Sequence, residues 1–210
     1  MKTALVWGAS GGIGRAFVDK LDRDHWTVYA VSRHPEDLQA LTPHTLRADV
    51  TSAQDVQAVI GQMRGDGVQI ALSIYAVGDI TSVKVEGMEL ETWQRILGAN
   101  LTGAYLTTHF SEPILASDAH LFYLGAVSER LRLPGLSAYA AAKAGMEAFA
   151  EALRKENRHR CITLVRPTAV ETDLWQKVPF RMPKHALTPE EVAERMLSAY
   201  EEREQGVLNL

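Results

Sequence analysis

A short apolar run, Thr3–Trp7, breaks directly into Gly8-Ala9-Ser10-Gly11-Gly12-Ile13-Gly14, and a helix-length amphipathic stretch follows at once. The run is too short for a helix, and the loop after it needs glycine's conformational freedom. Together they commit the N-terminus to a strand–turn–helix unit with a buried strand.

The same unit repeats along the chain. Predicted strands fall at Thr3–Trp7, Thr27–Ser32, Thr45–Leu46 running into Asp49, Ile70–Tyr75, His120–Leu124, Ile162–Arg166 and Gly206–Leu210. Most are apolar along nearly their whole length, as strands covered on both faces should be. Predicted helices lie near Gly12–Asp22, Ala53–Arg64, Leu90–Leu115, Tyr139–Lys155 and Pro189–Arg203. The last has a clear start: Thr188 and Glu191 form a capping box with Pro189 at the first helical position. The alternation predicts an α/β doubly wound parallel sheet of about seven strands with helices on both faces. Residues 1–210 read as one domain, and Asp173–Leu187, which lacks clear periodicity, falls where such sheets place ligand loops.

Composition narrows the classes. With 46% hydrophobic and 23% charged residues, the chain is neither disordered nor fibrous. A formal net charge of −4 offers no basic field for nucleic acid. No apolar run reaches the ~18 residues of a membrane span, and the N-terminus reads as a strand, not a signal peptide. The lone cysteine, Cys161, asks for no oxidising compartment and reads as strand packing. A cytoplasmic protein is the expectation. The 7 histidines are scattered without metal-ligand spacing, so no metal is expected. Arg154, Lys155, Arg158 and Arg160 read as a solvated, dipole-complementing face at a helix end.

The loop from Gly8 through Ser10, Gly11, Gly12 and Ile13 to Gly14 is a variant of the dinucleotide fingerprint. Glycines let the backbone approach a pyrophosphate, and the helix N-terminus offers unpaired N–H donors. A carboxylate ending the second strand would accept from a ribose 2′-OH and repel a 2′-phosphate. Ser32-Arg33 stands there instead, and an arginine fork can hold phosphate, so NADP(H) is favoured over NAD(H).

Tyr139 and Lys143, spaced i and i+4 in a helix-forming segment, share a helix face. An ammonium beside a tyrosine lowers its pKa from the usual ~10 and fits it for acid–base work. Taken with the glycine loop, the chain resembles the short-chain dehydrogenase/reductase family over nearly its whole length. The resemblance covers Gly8, Gly12 and Gly14. It includes Asp49-Val50, which in the family hold the adenine, and Tyr75-Ala76-Val77-Gly78, which stands for Asn-Asn-Ala-Gly and keeps Ala76 and Gly78. Asn100 matches the helix asparagine that holds a relay water. Arg166-Pro167-Thr168-Ala169-Val170-Glu171-Thr172 resembles the stretch beside the nicotinamide, with Pro167, Val170 and Thr172 as cofactor contacts. The resemblance implies Tyr139 as acid–base, Lys143 holding the nicotinamide ribose, and Asn100 in the proton relay.

One position departs from the family. The substrate-orienting serine should lie thirteen residues before the tyrosine, where this chain has Ala126. Ser128, two residues later, is the candidate substitute. Loss of an oxyanion donor costs roughly 10²–10³ in rate, so slow activity is expected. Leu174, Trp175, Val178, Phe180 and Met182 give the short substrate loop an apolar character, suited to a small hydrophobic carbonyl or alcohol or else to packing on the sheet. Two functions stay open: an NADP(H)-dependent reductase, or a non-catalytic NADP(H)-binding sensor or interaction scaffold. The family implies a homodimer or homotetramer.

Overall fold

The computed structural model describes residues 2–210. Seven strands, β1 (Thr3–Trp7), β2 (Thr27–Ser32), β3 (His44–Arg47), β4 (Ile70–Tyr75), β5 (Leu115–Leu124), β6 (Cys161–Arg166) and β7 (Gly206–Asn209), form one sheet in the order β3-β2-β1-β4-β5-β6-β7. Every pairing is parallel. The expected doubly wound α/β architecture is therefore the one observed. Strand order reverses between β1 and β4, which opens a crevice at their C-terminal ends.

Six α-helices cover the faces: α1 (Gly12–Arg23), α2 (Ala53–Gly65), α3 (Leu90–Leu97), α4 (Gly103–Ser111), α5 (Ser137–Glu156) and α6 (Pro189–Glu201). On one face, Phe17 and Leu21 of α1 and Val192 and Met196 of α6 pack with Val6, Ile74 and Phe122. On the other, Val56 and Met63 of α2, Ala104 of α4 and Met146 of α5 pack with Leu5, Tyr75 and Leu121. The buried strand residues are apolar because both faces are covered. The capping box of α6 forms as expected, with Thr188 and Glu191 each bonding the other's backbone N–H.

Three expectations need correction. The single helix expected over Leu90–Leu115 is three pieces: α3, a π-helical turn at Gly98–Thr102, and α4. A short 3-10 turn, Glu112–Ile114, then ends the helical run at Pro113, whose ring cannot continue it. Strand β5 correspondingly begins at Leu115, before the expected His120, although Asp118 and its neighbour are exposed and hide the strand pattern. The Asp173–Leu187 segment, read as aperiodic, contains a 3-10 turn at Asp173–Lys177 and a bridge between Val170 and Leu187. No helix among the described residues is long and apolar enough to cross a membrane.

Candidate active site

The crevice at the strand-order reversal is a cleft of about 700 Å³. Gly8, Ser10 and Gly11 line one wall; Ser32 and Arg33 end β2 beside them; Asp49, Val50 and Thr51 follow β3; Ala76 and Gly78 follow β4. These expected cofactor residues therefore share one concavity. Gly12, Ile13, Gly14, Tyr139, Lys143, Pro167, Val170 and Thr172 do not line it, although Thr172 lies against Gly12, where an added Cβ would meet its methyl at 3.0 Å. Ile13 turns its side chain into the core beneath α1.

The glycine loop is built for close approach. Gly8 adopts φ 81°, and a Cβ there would fall 2.8 Å from the Val77 nitrogen. At Gly14 a Cβ would fall 2.2 Å from the Gly8 carbonyl oxygen, so no side chain fits. Gly11 caps α1 without any side-chain hydrogen bond, leaving the first-turn N–H groups free of a side-chain partner. A chain this close to the cleft, with bare helix-end donors, fits the phosphates of a dinucleotide.

At the end of β2, the Ser32 hydroxyl accepts from the His34 N–H at 3.2 Å, while Arg33 is exposed along the cleft. Asp49 turns one carboxylate oxygen to Thr51, accepting from its N–H at 2.9 Å and its hydroxyl at 2.7 Å.

Tyr139 and Lys143 lie one turn apart on α5, with the Lys143 ammonium 5.6 Å from the Tyr139 ring centre. Lys143 is 4% exposed and donates to the Leu124 carbonyl at 2.7 Å. Here the expectation of a tyrosine pKa lowered by the lysine needs correction. Burial pushes the Tyr139 phenol up to about 12 and the Lys143 ammonium down to about 8. Desolvation disfavours both charged forms and is the cause at each group. The phenol is thus held protonated at neutral pH.

Asn100 sits in the π turn, which packs against α5. Its side-chain amide donates to the carbonyls of Asp79 at 2.6 Å and Ile96 at 2.9 Å, and its Oδ1 is buried without a protein partner. Such turns disturb the regular ladder and recur at functional sites. Gly78 adjoins the same amide, since a Cβ there would lie 3.5 Å from Oδ1.

Ser128 opens a 3-10 turn after β5 and donates its hydroxyl to Glu147 Oε2 at 3.1 Å. Arg166 joins this group, pairing with Glu129 and with Glu147 at 3.4 Å while donating to the Ala126 carbonyl at 3.3 Å. The Ser128 hydroxyl is therefore engaged along α5, and Ala126 is held through its backbone. Three side chains beside the cleft carried no sequence motif: Asp79, Arg95 and Lys177, which form one ion-paired group. No local signal announces them, since the Asp79–Lys177 contact joins residues 98 apart in sequence. Among the described residues, no cluster of three or more His, Cys, Asp or Glu side chains could hold a metal.

The sequence profile described as short chain dehydrogenase matches residues 2–181. The chain is 28% identical over 186 residues to a 3-oxoacyl-[acyl-carrier-protein] reductase of Haemophilus influenzae, covering 82% of this chain and 76% of that one. It is 30% identical over 200 residues to an uncharacterized oxidoreductase of Myxococcus xanthus, covering 87% and 77%. Its fold is similar to an alcohol dehydrogenase of Thermococcus sibiricus complexed with 5-hydroxy-NADP, with TM-score 0.89, 21% identity and coverage of 100% and 95%. It is also similar to a 3-ketoacyl-(acyl-carrier-protein) reductase of Brucella melitensis complexed with NADH, with TM-score 0.87, 21% identity and coverage of 100% and 96%.

Proposed function

Because this chain belongs to the short-chain dehydrogenase family, we propose that it is an NADP(H)-dependent oxidoreductase that reduces a small hydrophobic carbonyl or oxidises the matching alcohol. The observation that carries the reading is the Tyr139–Lys143 pair on α5, a half-buried phenol kept protonated beside a buried lysine. A protonated phenol is the form that can give a proton to a carbonyl oxygen during reduction.

The nicotinamide, when bound, supplies or accepts the hydride. The glycine loop and the bare N-terminus of α1 bind the phosphates. Arg33, where a 2′-OH-binding family member would place a carboxylate, favours the phosphorylated cofactor. Solved relatives in the fold carry either an NADP derivative or NADH, so Arg33 decides the reading. Tyr139 protonates the substrate oxygen, Lys143 holds the ribose, and Asn100 serves the proton relay. Asp49, Val50, Ala76 and Gly78 shape the rest of the cofactor cleft, and Pro167, Val170 and Thr172 support it from the loop after β6, where Thr172 rests on Gly12.

The substrate loop at 173–187 supports an apolar substrate. Trp175 is pinned by donating to the Val170 carbonyl at 2.8 Å, and Met182 is 43% exposed. Two reductases named for ketone substrates stand among the relatives and favour a carbonyl group as the target. Self-association into a homodimer or homotetramer is part of the same reading: α5 exposes Ala141, Ala144 and Ala148, and Tyr105 of α4 is half-exposed. Light scattering giving only monomer contradicts that part.

A second reading, a non-catalytic NADP(H)-binding sensor or scaffold, is favoured by one observation. Ala126 has no donor, and the Ser128 hydroxyl is turned to Glu147. NADPH oxidation by the purified protein over small aldehydes, ketones and diketones separates the two. Turnover with NADPH preferred over NADH supports the enzyme. NADPH binding with no turnover, in both the parent and an Ala126→Ser variant, supports the binder.

A further inference from the structure

Across the cleft from the glycine loop lies a charge group that no motif accounts for. Asp79 follows the Gly78 stretch, and its side chain is 14% exposed. One of its carboxylate oxygens accepts from Lys177 Nζ at 2.7 Å and from the Ile80 N–H at 3.0 Å. The other pairs with Arg95 of α3, and the Asp79 carbonyl accepts from Asn100. Arg33, Arg95 and Asp79 all line the cleft.

Lys177 ends the turn Asp173–Lys177. At the near end of that turn, Thr172 rests against Gly12 of the glycine loop. At the far end, Lys177 reaches the loop after β4, 98 residues away in sequence. The turn therefore bridges the two loops that would flank a bound dinucleotide. Burial, then the guanidiniums of Arg95 and Arg33, draw the Lys177 ammonium below the ordinary lysine range. Three cations thus stand within electrostatic reach of one another around a single carboxylate. Such a group has capacity for a second anion, and a phosphate accepts charge-assisted bonds from both Lys and Arg.

We infer that Lys177 and Arg95 form an ionic strap over the cleft, which Asp79 holds in the free protein and which exchanges Asp79 for a phosphate of the dinucleotide on binding. The inference rests on the nucleotide-binding reading above. Asp79 then competes with the ligand for the two cations. Lys177 and Arg95 side chains are each 50% exposed, so replacing them removes charge with little packing.

The test is equilibrium binding of NADPH and of NADH to the full-length protein and to Lys177→Gln, Arg95→Gln and Asp79→Asn. Each cation variant should weaken NADPH binding by about tenfold, the worth of a charge-assisted bond. Asp79→Asn should tighten it. Equal losses for NADPH and NADH assign the strap to the pyrophosphate, and losses confined to NADPH assign it to the 2′-phosphate. Either pattern supports the strap. Unchanged affinity in both cation variants overturns it while leaving the nucleotide reading in place, and weaker binding by Asp79→Asn overturns the exchange. A parent protein that binds neither nucleotide overturns the nucleotide reading itself.

Discussion

The Tyr75 hydroxyl donates to the Ala99 carbonyl at 2.7 Å, tying the end of β4 to the π turn that carries Asn100. Burial, and then the charge of Asp49, push this phenol well above its ordinary value, so it remains a donor. The tie gives a structural role to the bulky residue that stands where the family has asparagine: its hydroxyl bonds a backbone carbonyl of the irregular turn.

Tyr75→Phe should therefore cost about 0.5–1.5 kcal/mol, the net worth of one part-buried hydrogen bond. Denaturant unfolding reads this directly. If the π turn positions Asn100, turnover should fall by more than stability alone explains, while NADPH affinity stays close to that of the parent. A variant with full stability and full turnover would show the tie to be incidental.

Ala126 is the position where restored chemistry should be visible. Ala126→Ser adds the hydroxyl that the family uses to orient substrate, and it should raise kcat by up to roughly 10²-fold. The comparison is a steady-state assay on the best substrate of the carbonyl panel. No gain would mean that the side chain at 126 does not face the reacting oxygen.

His120 predicts an acid-sensitive fold. It is buried, stacked on Phe122, and its Nε2 lies 2.8 Å from the Thr163 hydroxyl. That hydroxyl donates to the Glu204 carbonyl at 2.7 Å, so it accepts from the imidazole Nε2–H, and the buried Nδ1 has no partner. Burial first, then the charge of Arg203, hold the imidazole down at about 4. The unfolded chain binds this proton near pH ~6.5 and the folded one only near 4. Stability from the neutral imidazole is therefore full above pH ~6.5 and is lost as pH falls toward 4, by roughly 3 kcal/mol in all. Urea unfolding as a function of pH should show that slope in the parent and lose it in His120→Gln. An unchanged slope in the variant would assign the acid sensitivity elsewhere.

Much of this architecture was legible in the residues. The strands read correctly where both faces are buried, as in Thr3–Trp7 and Ile70–Tyr75, because burial makes them continuously apolar. The start of α6 was written in Thr188, Pro189 and Glu191, a local signal that tertiary packing had no reason to override. The π turn was not legible, since it depends on Tyr75 and Asp79 reaching in from other parts of the chain. The N-terminal half of β5 was hidden by exposed residues at the sheet's lower edge. The cleft could be assembled from motifs because each lies at a strand end. The Asp79–Lys177 pair could not, because nothing local announces a contact 98 residues apart. The charge balance at Tyr139 depends on desolvation, which spacing along a helix does not report.

The central claim is that Tyr139 supplies a proton to a carbonyl oxygen and that its hydroxyl adds little to nucleotide affinity. Parallel measurement of carbonyl-dependent NADPH oxidation and NADPH affinity in Tyr139→Phe tests it most directly. The account predicts that turnover falls by at least about a hundredfold, the share of a general acid, with NADPH affinity nearly intact. Turnover unchanged from the parent would contradict it.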